Sequence, residues 1–166
     1  DPLEEKEYVE DLLARCVHGL IIAPASGDRN ITMFENLAKS NFPIILMDRC
    51  FGGRKLNYVV TDNKLASRKG VRIIAKNKPS HLFYLGEKKR NSIIDERLAG
   101  VKEEASIRAI PLEILLCETT PGGMKKVGEK IFSRKKIAPA IFLETNRFLT
   151  ELLNIAYKKG LFMPED

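Results

Sequence analysis

Six short polar groups in this sequence each follow or neighbour an unbroken apolar run, and they are where chemistry could be done. Pro24 to Ser26 close the run LIIAP, and Asp48 and Arg49 close PIILM. Thr61, Asp62 and Asn63 end the stretch NYVVTDN, and Glu118 follows LEILLC. The segment 87–97 after HLFYLG contains Asn91 and Arg97, and Thr145 and Asn146 end AIFLET. These side chains donate and accept hydrogen bonds. They do not assemble an acid–base pair or a nucleophile with its base. Ligands of open α/β sheets bind beyond strand carboxyl ends, so the polar residues there, among them Ser26, Asp48, Arg49, Asn91, Arg97, Thr145 and Asn146, are the candidates to examine for binding.

Each has a plainer reading. Asp48 and Arg49 can form a surface ion pair, and Arg97 can pair along its helix with Glu103 or Glu104. Asp62 and Asn63 can cap the helix that follows them. His18 and His81 each precede a strand, with no Cys or carboxylate at metal-ligand spacing, so no metal and no cofactor are expected. Cys117 reads as core.

The elements that must position these residues alternate between helix and strand. Residues 2–16 read as a helix opened by Pro2 and rich in acids at its N-terminal half. LIIAP and PIILMD are unbroken apolar runs, which predicts parallel strands covered on both faces. ASGDRN (25–30) is a turn with Ser26, Asp28 and Asn30 as candidate caps, and a helix at 31–40 is broken by Asn41-Phe42-Pro43. FGGRKL (51–56) is a glycine-bearing loop without the spacing of a phosphate-binding motif. Further helices follow NYVVTDN, EKKRNS, ETTPGG and Thr145-Asn146, the last closed by Gly160. Alternating strands and helices mean parallel sheet, and ligands of such sheets bind beyond the carboxyl ends of the strands.

Composition narrows the class. The chain has 166 residues, 44% of them hydrophobic, enough for a real core. Its apolar runs are far shorter than the roughly 20 residues that span a bilayer, and its acidic start does not resemble an export signal. Three widely spaced cysteines fit a reducing compartment. The net charge of +6 comes from 28 basic against 22 acidic residues. The basic clusters (88–90, 134–136, 158–159) sit at loops or helix ends without interleaved aromatics, so they read as solvated faces and not as a nucleic-acid groove.

The order VHGLIIAPASGD, FPIILMDR, YVVTDN, HLFYLG, ERLAG, PAIFLETN, KKGLFMPED resembles the effector-binding core of the lactose-repressor (LacI/GalR) family of bacterial transcription regulators. The resemblance runs over nearly the whole chain. It implies an α/β fold of the type I periplasmic-binding-protein kind, with parts of two parallel-sheet lobes: residues 1–60 in the N-terminal lobe and 61–166 in the C-terminal one. It implies a sugar or similar small effector in the cleft between lobes, touched by Asp48 and by Arg97 of the RLAG motif. It also implies a cytoplasmic homodimer, with DNA bound through a helix-turn-helix domain outside this chain, so that the chain is a middle segment of the regulator. Three features depart from the family: Thr145-Asn146-Arg147 stand where many members have asparagine-aspartate, Asp95 lies two before Arg97, and no tryptophan is present. Phe51, Tyr84 and Phe148 are then the aromatic candidates for stacking on a sugar. A solute-binding protein of a transporter shares the fold, and an α/β enzyme would need a catalytic constellation that the sequence does not supply.

Overall fold

Asp1 caps the first helix, α1 (Pro2–Ala14): its Oδ1 accepts from the Leu3 N–H at 2.7 Å, and Pro2 fits the first turn. The computed structural model describes residues 1–25, 27–88, 91–118, 120–133 and 139–161. They form two compact units, Asp1–Thr61 and Asp62–Asp166.

The first unit contains α1, β1 (Leu20–Ile22), α2 (Ile31–Lys39), β2 (Ile44–Met47) and β3 (Asn57–Val59). Its strands are parallel in the order β1-β2-β3, with Ile21 opposite Ile45 and Met47 opposite Val59. Val9 of α1 and Phe34 of α2 pack against Ile44, Leu46 and Leu56 to make the core. Asn30 does not cap α2 through its side chain; its Nδ2 instead donates to Glu5 Oε2 at 2.6 Å and to the Pro2 carbonyl at 2.7 Å. That ties the start of α1 to the turn before α2.

Within this unit β1 and β2 are covered on one face only, which corrects the expectation from their unbroken apolar runs. β2 alternates buried and exposed residues, and Ile21, Ile45, Met47 and Val59 line up on the uncovered face. Ile21 is 72% exposed and Val59 68%.

The second unit runs α3 (Asn63–Ala75), β4 (His81–Glu87), α4 (Ser92–Ile107), β5 (Leu112–Cys117), α5 (Pro121–Phe132), β6 (Pro139–Leu143), a 3-10 turn (Asn146–Phe148) and α6 (Leu149–Lys158). Its parallel sheet has the order β5-β4-β6. Here both faces are covered, as is usual for a parallel sheet. Phe83, Leu85 and Leu115 meet Met124 and Ile131 of α5 and Leu152 of α6 on one side. Leu82 and Tyr84 meet Val71 of α3 and Val101 and Ala105 of α4 on the other.

Helices α3 and α4 approach closely because Gly100 has no side chain: a Cβ there would overlap the Lys64 carbonyl oxygen. One turn further on, the buried Glu104 carboxylate accepts from Arg72 Nε (2.9 Å), Arg68 Nε (3.1 Å) and Arg108 Nε (2.9 Å). The hydrogen bond from Arg72, with those from Arg68 and Arg108, overcomes desolvation and holds Glu104 down at about 2. Its neighbour Glu103, held low chiefly by Lys64 at 2.7 Å, also pairs with Arg68 at 2.8 Å.

Two outcomes follow. Gly100→Ala should destabilise the second unit by about 1–3 kcal/mol in urea unfolding, because two helix backbones must separate. Glu104 ionises more readily folded than at its ordinary value of 4.5. Its stabilisation is therefore complete above that value and lost as pH falls toward about 2. Glu104→Gln should lower the urea midpoint at neutral pH and flatten its fall in acid; an unchanged acid slope would contradict the clamp.

Candidate ligand-binding site

In the first unit, Asp48 stands immediately after β2 with φ +65°. Four other non-glycine residues among those described share the left-handed region: Cys16, Asn41, Lys78 and Ala109. Each of those four follows a helix, where a left-handed residue ends the turn. Asp48 alone follows a strand. Its N–H still donates to the Val59 carbonyl at 3.1 Å, so β2 stays paired to β3 while the backbone swings away. Aspartate tolerates this conformation better than most residues, and strain of this kind gathers at functional sites. Arg49 Nη1 donates to the Pro24 carbonyl at 3.2 Å, joining the exits of β1 and β2. Its Nε lies 3.9 Å from Asp48 Oδ2, so the surface ion pair exists at long range. With more than half of the Asp48 side chain exposed, such a pair is screened and worth little. Glu5, Tyr8, Ile22, Pro24, Asp48 and Arg49 are among the residues lining an open hollow of about 450 Å³.

In the second unit Arg97 does not pair with Glu103 or Glu104, which are taken by Lys64 and by the arginines of α3 and α4. Its Nε donates to Asn63 Oδ1 at 2.9 Å and its Nη1 to the Glu144 carbonyl at 3.0 Å. Asn63, buried at the first turn of α3, is thus an anchor for Arg97, while Asp62 is the cap, accepting from the Leu65 N–H at 2.8 Å. Glu144, just past β6, is also buried; its Oε2 accepts from the Tyr84 hydroxyl at 2.6 Å. Arg147 reaches Glu87 at 3.5 Å. The carboxyl end of β6 and the start of α3 therefore converge on one half-buried guanidinium carried by α4.

The other candidates do local work. Asn91 caps α4, its Oδ1 accepting from the Ile94 N–H at 3.0 Å. Thr145 caps the 3-10 turn, accepting from the Arg147 N–H at 3.4 Å, and Asn146 is exposed in that turn. Ser26 lies outside the described residues. Stacking on a sugar is closed to Tyr84 and Phe148, which are fully buried, and Phe51 is half-buried beside Phe34 at 6.1 Å. Cys117 is core, and burial pushes its thiol up, away from nucleophilic use. Among the described residues no group of His, Cys, Asp and Glu is arranged to hold a metal ion. Sequence reasoning missed Glu144; its only signal was an acidic residue at the end of an apolar run.

No protein-family model matches the chain. Its sequence is 28% identical over 171 residues to the probable HTH-type transcriptional regulator EndR of Paenibacillus polymyxa, covering 100% of this chain and 49% of that protein. The chain thus spans about half the length of that curated relative. Among solved structures it is similar to a LacI family transcriptional regulator of Enterococcus faecium with bound ribose (TM-score 0.76, 21% identity, 96% of this chain, 60% of that one). It is also similar to a periplasmic ribose ABC transporter protein of Conexibacter woesei (TM-score 0.84, 16% identity, 98% of this chain, 56% of that one). The chain has the α/β fold that LacI-type regulators share with periplasmic sugar-binding proteins. In sequence it is similar along its full length to a transcription regulator.

The backbone at Asp48 gives a direct check. Asp48→Ala should lower stability by about 1 kcal/mol, because alanine pays for the left-handed conformation without local hydrogen bonding. Asp48→Asn and Asp48→Gly should stay within about 0.5 kcal/mol of the parent in the same urea titration.

Proposed function

We propose that this chain is part of the ligand-sensing core of a LacI-type bacterial transcription regulator, and that its effector is a small polyhydroxylated molecule such as a sugar. The observation that carries the reading is the likeness to an HTH-type regulator along the full length of the chain. The ribose held by the Enterococcus relative supports the effector class. The chemistry agrees: Asp48 is an exposed carboxylate set at a strand end, and Arg97 is a guanidinium fixed by two acceptors, so one takes and the other gives hydrogen bonds to hydroxyl groups. Arg49, Asn91, Thr145 and Asn146 stand at other strand or helix ends as secondary contacts, and Ser26 belongs to the same proposal.

DNA would be bound by a helix-turn-helix domain outside these residues, in a cytoplasmic homodimer. The effector would control that domain by binding one conformation of the core more tightly than another, since only differential affinity shifts an equilibrium. Sensing of this kind needs no catalysis. A second reading is the sugar-binding component of a transporter, favoured by the fold likeness to the Conexibacter protein. Effector-dependent change in operator affinity separates the two.

The test is a thermal-shift screen of pentoses, hexoses and nucleosides on the regulator that contains this chain, followed by calorimetry. Asp48→Asn and Arg97→Gln should each weaken binding of the ligand found by about 10- to 100-fold, or roughly 1.4–2.7 kcal/mol, the size of a charged hydrogen bond lost. Affinity unchanged in both variants would mean that neither side chain touches the effector.

A further inference from the structure

The Arg97 fork is held by a main-chain carbonyl, and what holds that carbonyl is unusual. Glu144 donates its N–H to Leu85 O at 3.0 Å and offers its own carbonyl to Arg97 at 3.0 Å. Its side chain turns inward to the fully buried Tyr84, whose hydroxyl donates to Oε2 at 2.6 Å, while the Glu87 N–H approaches Oε1 at 3.5 Å. Space for that carboxylate exists only because residue 86 is glycine: a Cβ there would overlap Glu144 Oε2 and come within 2.7 Å of Tyr84 Cε1. Nothing in hydrophobic packing calls for a buried carboxylate at this point. Burying one is costly unless its hydrogen bonds are met, so its neighbours are constrained to meet them.

We propose that Tyr84, Gly86 and Glu144 are positioning residues for Arg97: the buried Tyr84–Glu144 hydrogen bond fixes the peptide at the end of β6 and thereby aims the guanidinium. Any consequence for ligand affinity rests on the proposed role of Arg97 in effector binding. The positioning itself does not. When Tyr84 loses its hydroxyl, the Glu144 carboxylate loses its 2.6 Å buried donor, and the peptide that this bond fixes gains freedom to draw its carbonyl away from Nη1. Asn63 alone then restrains Arg97, and the fork becomes mobile.

The experiment reads the Arg97 Nε–Hε signal by NMR in the ligand-free 166-residue chain, assigned by its loss in Arg97→Gln. Tyr84→Phe should shift this signal and speed its hydrogen exchange about tenfold, because a guanidinium that has lost its Nη1 restraint opens more often from Asn63, while the amide spectrum of the strands stays dispersed. Glu144→Ala should do the same, and Glu144→Gln, which keeps an acceptor for the tyrosine, should retain most of the protection. If Tyr84→Phe unfolds the chain, the Glu144→Gln and Glu144→Ala pair carries the comparison. An Arg97 signal unmoved by loss of either partner overturns the proposal. A signal that moves, together with unchanged D-ribose affinity in the same variants and in Arg97→Gln, upholds positioning and removes Arg97 from recognition of that sugar. A fall in affinity that Tyr84→Phe no longer adds to in the Arg97→Gln background supports positioning acting through Arg97, since a general loss of stability would add.

Discussion

The contact between α3 and α4 sets everything that the second unit presents. Gly100 lets the α4 backbone lie against the Lys64 carbonyl, and the Glu104 carboxylate then gathers arginines from both helices one turn on. One turn in the other direction lies Arg97, bonded to Asn63 at the start of α3. The same helix pair is therefore clamped at one end by a shared carboxylate and reads out at the other through a single guanidinium.

The charges in this clamp are unequal partners. Glu104 is buried, whereas Arg68, Arg72 and Arg108 keep a quarter to nearly half of their side chains in water. The acid is surrounded by donors, so its ionised form is secure. The arginines keep part of their hydration, which lessens the desolvation that fully buried ion pairs incur. Three of the chain's basic residues are thus engaged with a buried acid inside the fold.

The alternation of strands and helices was legible in the sequence because strand and helix periodicities differ, and the positions of the polar strand ends came with it. Capping was legible in part: Asp62 accepts from a helix N–H, as its place before an apolar periodic stretch suggested. Asn30 instead turns to Glu5, Asn63 accepts from Arg97, and Asn91, read as a binding candidate, caps α4. The coverage of the first sheet was not. Ile21, Ile45 and Met47 read as interior because an unbroken apolar run says nothing about which neighbours are there to cover it. Arg97 was legible as a strand-end donor, but its partners were not, since Asn63 and Glu144 lie 34 and 47 residues away in sequence. Tyr84 shows the limit most plainly. Its type suggested a ring for stacking, whereas its hydroxyl is spent on Glu144 and its ring packs on Phe142 at 6.0 Å.

The uncovered face of the β1-β2-β3 sheet has a colloidal consequence. Ile21, Ile45, Met47 and Val59 form an apolar patch beside β1, whose outer edge has no strand partner among the described residues. A bare, apolar, unpaired edge is the surface on which polypeptides recruit one another. This patch is therefore a place where copies of the chain can adhere to one another, and it bears on solubility. Residues that matter little to the fold, such as a lysine in place of Ile21, become the ones that decide how concentrated the protein can be.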